Sequence, residues 1–186
     1  MPRAFISVAT WLTLCATAVA AQDETPPEVA RRMWSAVQDH RWDAVAGLMH
    51  PTALQEFRQL LSPILAADSP AADSVRQLLL GSASRSAAAA VSDSAIYVRL
   101  MLWSSSLNAT KPGAVEATHY QLLGTVTEGR DTVHVIGRAS ATVSGRHLTW
   151  IQVTSLMRSG AAWRGLLELN WSQFAAALSA AVTRKQ

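Results

Sequence analysis

Few residues in this chain combine a reactive side chain with a position that would make it useful. Glu168, within Leu166-Leu167-Glu168-Leu169-Asn170-Trp171, is the one acid in the middle of a predicted strand, and a carboxylate there is a candidate general base. The plainer reading puts it on the exposed side of a half-buried strand, because Leu167, Leu169 and Trp171 take the opposite parity. Glu116, Glu128 and Asp131 fall at strand ends or turns. The histidines His40, His50, His119, His134 and His147 form neither a His-x-His pair nor an i, i+4 pair, so no metal site is predicted. His119 and His134 can face one another across a hairpin, but two ligands do not make a site. His50 stands directly before Pro51, at the end of one predicted helix and the start of the next, where a polar side chain caps.

Other chemistries lack their residues. The single cysteine, Cys15, lies in an N-terminal apolar run, so the rest of the chain has no thiolate for a disulfide, a zinc site or a nucleophile. No Gly-x-Ser-x-Gly elbow and no glycine-rich phosphate loop occurs. A net charge of +3 without a basic cluster argues against nucleic acid as a partner. Beyond that run, Trp34, Trp42, Trp103, Trp150, Trp163 and Trp171 are spread over different elements and are expected to face the core.

These residues must be held by a chain of 186 residues, 49% hydrophobic and 16% charged, enough for one packed domain and too apolar for a disordered one. Residues 1–20 read as a Sec-type signal peptide: Arg3, an uncharged apolar stretch, then Ala18-Val19-Ala20 as the cleavage site, with cleavage one residue later also compatible. The stretch is short for a membrane span, and Leu14 departs from the small residue a lipobox needs before Cys15. The expected destination is periplasmic or secreted, with 21–27 as a leader and 28–186 as a single domain. Val29, Met33, Trp34 and Val37 make one helical stripe, and Trp42, Val45, Ala46 and Met49 a second. Leu54, Phe57, Leu60, Leu61 and Ile64 make a third, and a helical middle segment covers about 62–111. The period then changes to two, predicting strands at 116–126, 132–143, 147–158 and 162–171 joined by tight turns, and a last helix over 172–182. Helices first and an antiparallel meander afterwards predict an α+β fold.

Val29-Ala30-Arg31-Arg32-Met33-Trp34-Ser35-Ala36-Val37, Arg41-Trp42-Asp43 and Leu48-Met49-His50-Pro51 resemble the opening of NTF2-like proteins, the SnoaL-like and ketosteroid-isomerase-like superfamily. The stretches from His134 to Arg138, Thr154 to Arg158 and Gly160 to Arg164 are similar to that family's final hairpins. The resemblance implies a curved four-stranded sheet wrapped around helices as a cone with a pocket, and in many members a homodimer through the sheet. It makes Tyr97, Tyr120, His134 and Gln152 candidates to line the pocket. Enzymes of the superfamily set a pocket carboxylate against a Tyr, Asp or His donor that stabilises an enolate, which makes Glu168 and His50 the catalytic candidates. The leading expectation is an exported, non-catalytic domain that binds a small apolar ligand or a partner protein and needs no cofactor. The alternative is an isomerase or dehydratase of the ketosteroid-isomerase type, and a third reading is a filled pocket serving only in assembly. Both parities of the third strand are apolar: Leu148, Trp150 and Leu156 against Ile151, Val153 and Met157. The second face therefore needs cover from the middle helices or, the favoured expectation, from a second copy.

Overall fold

Proline and small polar residues decide where the helices begin. The computed structural model describes residues 24–109, 115–167 and 170–183. The expected signal peptide, part of the leader and Glu168 lie outside these residues. Helix α1 (Pro26–Gln38) starts after Thr25, whose N–H donates to the Glu28 carboxylate at 2.8 Å. His40, with φ of 53°, turns the chain into α2 (Trp42–Leu48). Helix α3 (Pro51–Ala66) opens on Pro51 and runs through Pro63. Proline 63 removes the N–H that Gln59 O would accept, and the Ser62 hydroxyl donates to that carbonyl instead, at 2.7 Å. The expected helical middle appears as α4 (Pro70–Leu80), the single turn α5 (Ala87–Ala90) and α6 (Asp93–Ala109). Ser69 and Ser92 cap α4 and α6 by accepting from Ala72 N–H and Ala95 N–H, each at 3.2 Å, and Gly81 ends α4 with φ of 72°.

The sheet is an open antiparallel meander in sequence order: β1 (Val115–Glu128), β2 (Thr132–Val143), β3 (Arg146–Ser159) and β4 (Ala162–Gly165). Ser144 and Gly145, both at positive φ, make the tight β2–β3 hairpin. The fourth strand is far shorter than its alternation predicts. After Gly165 the chain leaves the sheet, and Trp171 belongs to α7 (Asn170–Thr183), not to a strand. Leu167 and Trp171 find their burial against the helical core, where the Trp171 ring meets Phe57 and Phe174 edge-on at 5.1 and 5.6 Å.

Two apolar clusters result. One fills the space between α2, α3, α4, α6 and α7 around Phe57, Leu61, Ile64, Leu79, Ile96 and Leu100. The other joins Val29, Ala30 and Leu48 to Val133, Val135 and Leu156 on the inner face of the sheet, and Met33 packs against both. Helix α1 touches all four strands. Among the described residues the outer face has no such cover. Ile151 and Val153 are 55% and 44% exposed, so the described middle helices do not shield it.

The helical half is stapled by arginines that the sequence did not single out. Arg76 is 1% exposed. Its Nη1 donates to Leu65 O at 3.0 Å and Ala67 O at 2.7 Å, its Nε to Ala83 O at 2.6 Å, and its Nη2 to Asp73. One guanidinium thus closes the C-terminal carbonyls of α3 and fixes the loop after α4. Arg58 binds Asp93 and Val91 O, and Arg99 donates to Leu79 O at 2.9 Å. Replacing Arg76 with Ala leaves three carbonyls and a carboxylate without their donor, and should lower the unfolding free energy by about 3 kcal/mol. Arg76→Lys should recover less than half, because an ammonium cannot reach the same fork of acceptors. Urea unfolding reads both, and a loss below about 1 kcal/mol for Arg76→Ala would refute this role.

Candidate functional site

The inner face carries the site, and the strand register says which residues share it. Cross-strand partners lie on one side of a sheet. Tyr120 pairs with Ala139 and Ala139 with Trp150; Leu122 pairs with Gly137 and Gly137 with Gln152. These residues face the same way as Val133, Val135 and Leu156, toward α1. Helix α1 contributes Trp34, one residue beyond Met33. Its indole stacks on the Tyr120 ring with centroids 5.2 Å apart and planes at 28°, and meets Trp150 at 6.3 Å and 49°. Trp150 Nε1 donates to Gln152 Oε1 at 3.4 Å. Trp150 is 38% exposed, so the expectation that every tryptophan faces the core fails here. The three rings form an aromatic shelf where α1 ends and the sheet continues.

Small residues on β2 make room beneath these rings. A Cβ on Gly137 would collide with Cε2 and Cζ of Tyr120, so the ring lies directly over this glycine. The Tyr120 hydroxyl is buried and has no hydrogen-bond partner among the described residues. Burial pushes its phenol above the ordinary tyrosine range, with the Arg31 charge pulling the other way by less. The site therefore offers flat apolar surface, with one neutral phenol oxygen buried beneath it.

The other sequence candidates go elsewhere. Tyr97 is buried in the helical core, its ring 5.2 Å from Phe57 and 6.3 Å from Trp171. His50 caps α3: its Nδ1 accepts from Thr52 N–H at 3.2 Å and lies 2.6 Å from Thr52 Oγ1. His134 pairs with Val126 and Ser155, which puts it on the outer face, opposite Tyr120 and Gln152. There its Nδ1 lies 2.8 Å from Ser155 Oγ and its Nε2 2.9 Å from Glu128 Oε2. This chain has the order of a nucleophile, base and orienting carboxylate, but Glu128 is 72% exposed and the group lies open to water. It joins β1, β2 and β3 as a cross-strand clasp. Of the pocket candidates, only Tyr120 and Gln152 share a face.

Trp34 and Trp150 are the site residues that sequence reading missed as a pair. Each carries a signal of its own, but nothing in sequence brings α1 and β3 together. Two open grooves of about 450 Å³ lie elsewhere, one between α2 and α6 beside Asp43, Ser94 and Val98, the other between α6 and α7 beside Ser104 and Phe174. Neither gathers convergent polar groups. Among the described residues no three His, Asp or Glu side chains cluster as a metal site would require, and no helix is long and apolar enough to cross a membrane. No family model, curated protein or solved structure matches the chain.

Gly137→Ala should destabilise the chain by about 1–3 kcal/mol, because the Tyr120 ring must leave its seat. In a Tyr120→Ala background the same change should cost close to nothing, a strong non-additivity readable by denaturant unfolding. Equal costs in both backgrounds would show that the ring does not lie over Gly137.

Proposed function

We propose that this chain is an exported NTF2-like domain that binds a small apolar ligand on the shelf of Trp34, Tyr120 and Trp150, without catalysing a reaction on it. The observation that carries this reading is the partly exposed Trp150 indole beside the Trp34–Tyr120 stack, a flat apolar surface open to solvent. Exposed aromatic surface flanked by a second ring gains from a flat apolar molecule laid against it. The ligand class is flat and mainly apolar, matched to the indole surface.

Support for the NTF2-like cone comes from the paired opening helices, the open four-stranded meander and the lie of α1 across the inner face. Support for a role without catalysis comes from the residues that the register assigns to this face. Among the residues whose side chains are described, Tyr120, Leu122, Val133, Val135, Gly137 and Gln152 are typical of this face, and no Asp or Glu accompanies them there. An isomerase or dehydratase would need a carboxylate there. The reading includes self-association through the sheet, whose outer face keeps Ile151 and Val153 exposed.

N-phenyl-1-naphthylamine is a flat, neutral, fluorescent probe suited to the shelf. It should bind saturably and quench tryptophan emission by energy transfer, and Trp34→Ala should weaken it by about tenfold or more, equivalent to roughly 1.4 kcal/mol. Tyr120→Phe should leave this probe bound, because the hydroxyl it removes is buried away from the exposed surface. Binding unaffected by Trp34→Ala would remove the shelf as the site.

A further inference from the structure

We propose that residues 146–154 of β3 form the association edge of this protein, pairing antiparallel with the same residues of a second copy so that one sheet runs through both. The inference rests on the self-association included in the proposed function and specifies which part of the sheet makes it.

Strand β4 pairs only with 156–159 of β3. Among the described residues the last backbone hydrogen bond to that edge is Leu166 N–H to Ser155 O at 2.8 Å. Among the described residues no strand pairs with 146–154 on that side, which leaves about 30 Å of backbone edge bare. Sheet edges are ordinarily protected by bulges, prolines or charges. The opposite edge of this sheet, β1, carries register shifts at Val115/Ala117 and Leu122/Gly124. The β2–β3 register is unbroken from Thr132↔Met157 to Val143↔Arg146. His147-Leu148-Thr149-Trp150-Ile151-Gln152-Val153-Thr154 contains no Lys, Pro, Asp or Glu. Leu148, Trp150, Ile151 and Val153 are all exposed, on both faces of the strand. A regular, apolar, uncharged edge of this length is a pairing surface.

Its own chemistry favours a second copy as the occupant. Two identical strand edges satisfy each other's donors and acceptors about a two-fold axis. With the axis at Trp150, the two indoles meet. Leu148 then faces Gln152, Thr149 faces Ile151, His147 faces Val153, and Arg146 faces Thr154. No like charges oppose one another, and the one permanent charge lies opposite a hydroxyl. Because Trp150 also belongs to the aromatic shelf, this pairing would set two shelves side by side across the axis.

Backbone direction alternates along β3. Ser155 O faces β4, and Arg158 N–H donates to Asp131 O on the β2 side at 2.8 Å. The N–H groups of Thr149, Ile151 and Val153 therefore point to the bare edge, while those of Trp150 and Gln152 point toward β2. Ile151→Pro removes an edge donor and blocks the approach of a second strand while sparing the β2–β3 ladder. Sedimentation velocity on the chain without residues 1–20 should give a dimer for the native sequence and a monomer with unchanged far-ultraviolet circular dichroism for Ile151→Pro. Ile136→Lys, in the middle of the outer face and away from the edge, should remain dimeric. A charge pair decides the matter if the proline variant fails to fold. Thr149→Lys with Ile151→Lys should dissociate, and Thr149→Glu with Ile151→Lys should associate. A native chain that is monomeric throughout the micromolar range overturns both this proposal and the self-association it rests on. A dimer split by Ile136→Lys but kept by Ile151→Pro overturns the edge alone, in favour of sheet faces packed together.

Discussion

Gly165 is the point at which the helices and the sheet are made into one body. It ends β4, pairs with Met49 in a parallel bridge, and accepts the His50 N–H at 2.8 Å. Met33 of α1 lies against it so closely that a Cβ would come within 2.6 Å of the methionine Cε and 2.9 Å of its Sδ. Next to it, Arg164 donates to Gly47 O at the end of α2. Residues at this seam are small or flexible for a physical reason: two backbones must come within hydrogen-bonding distance while a helix passes over them. Everything else in the arrangement follows from that approach. With the α2–α3 junction held to β4, α1 has only the inner face of the sheet on which to bury Val29 and Ala30.

The position of α1 then sets the aromatic shelf. Met33 is fixed over Gly165, so the next residue, Trp34, is carried toward the far strands and onto Tyr120. Gly137 lets Tyr120 lie flat, and the flat ring gives Trp34 a surface to stack on. Neither contact would survive alone, because the ring would lift from a larger residue on β2 and the indole would then lose its partner. The helical half contributes rigidity. Its buried Arg76 ties α3 and α4 by their backbone carbonyls, so the frame behind the seam does not depend on apolar packing only.

Much of this architecture was legible in the sequence because it is local. Ser69, Ser92 and Gly81 announce helix boundaries through their own capping geometry, and Gly129, Gly145 and Gly160 at positive φ mark the hairpins. The α+β order and the two-faced apolar pattern of β3 are likewise properties of single segments. The early end of β4 was not legible. Leu167 and Trp171 alternate like strand residues, and only the presence of a helical core at the right distance draws them away. The buried role of Arg76 was hidden for the same reason, since its acceptors Leu65, Ala67 and Ala83 come from both sides of α4. The site was legible in part. Tyr120 and Gln152 do share a face, whereas the parity of His134 sends it to the other side and Tyr97 is consumed by the helical core. Trp34 and Trp150 meet only through a register and a helix placement that no single segment encodes.

The central claim is that α1 lies on the inner face with Trp34 seated between Tyr120 and Trp150. Nuclear Overhauser contacts among these three rings, in the protein labelled at its aromatic side chains, test it most directly. The account predicts contacts from the Trp34 indole to both the Tyr120 ring and the Trp150 ring, and from Tyr120 to the Gly137 α-protons. A Trp34 indole with no contact to Tyr120, in a chain whose β2–β3 contacts are intact, would contradict it.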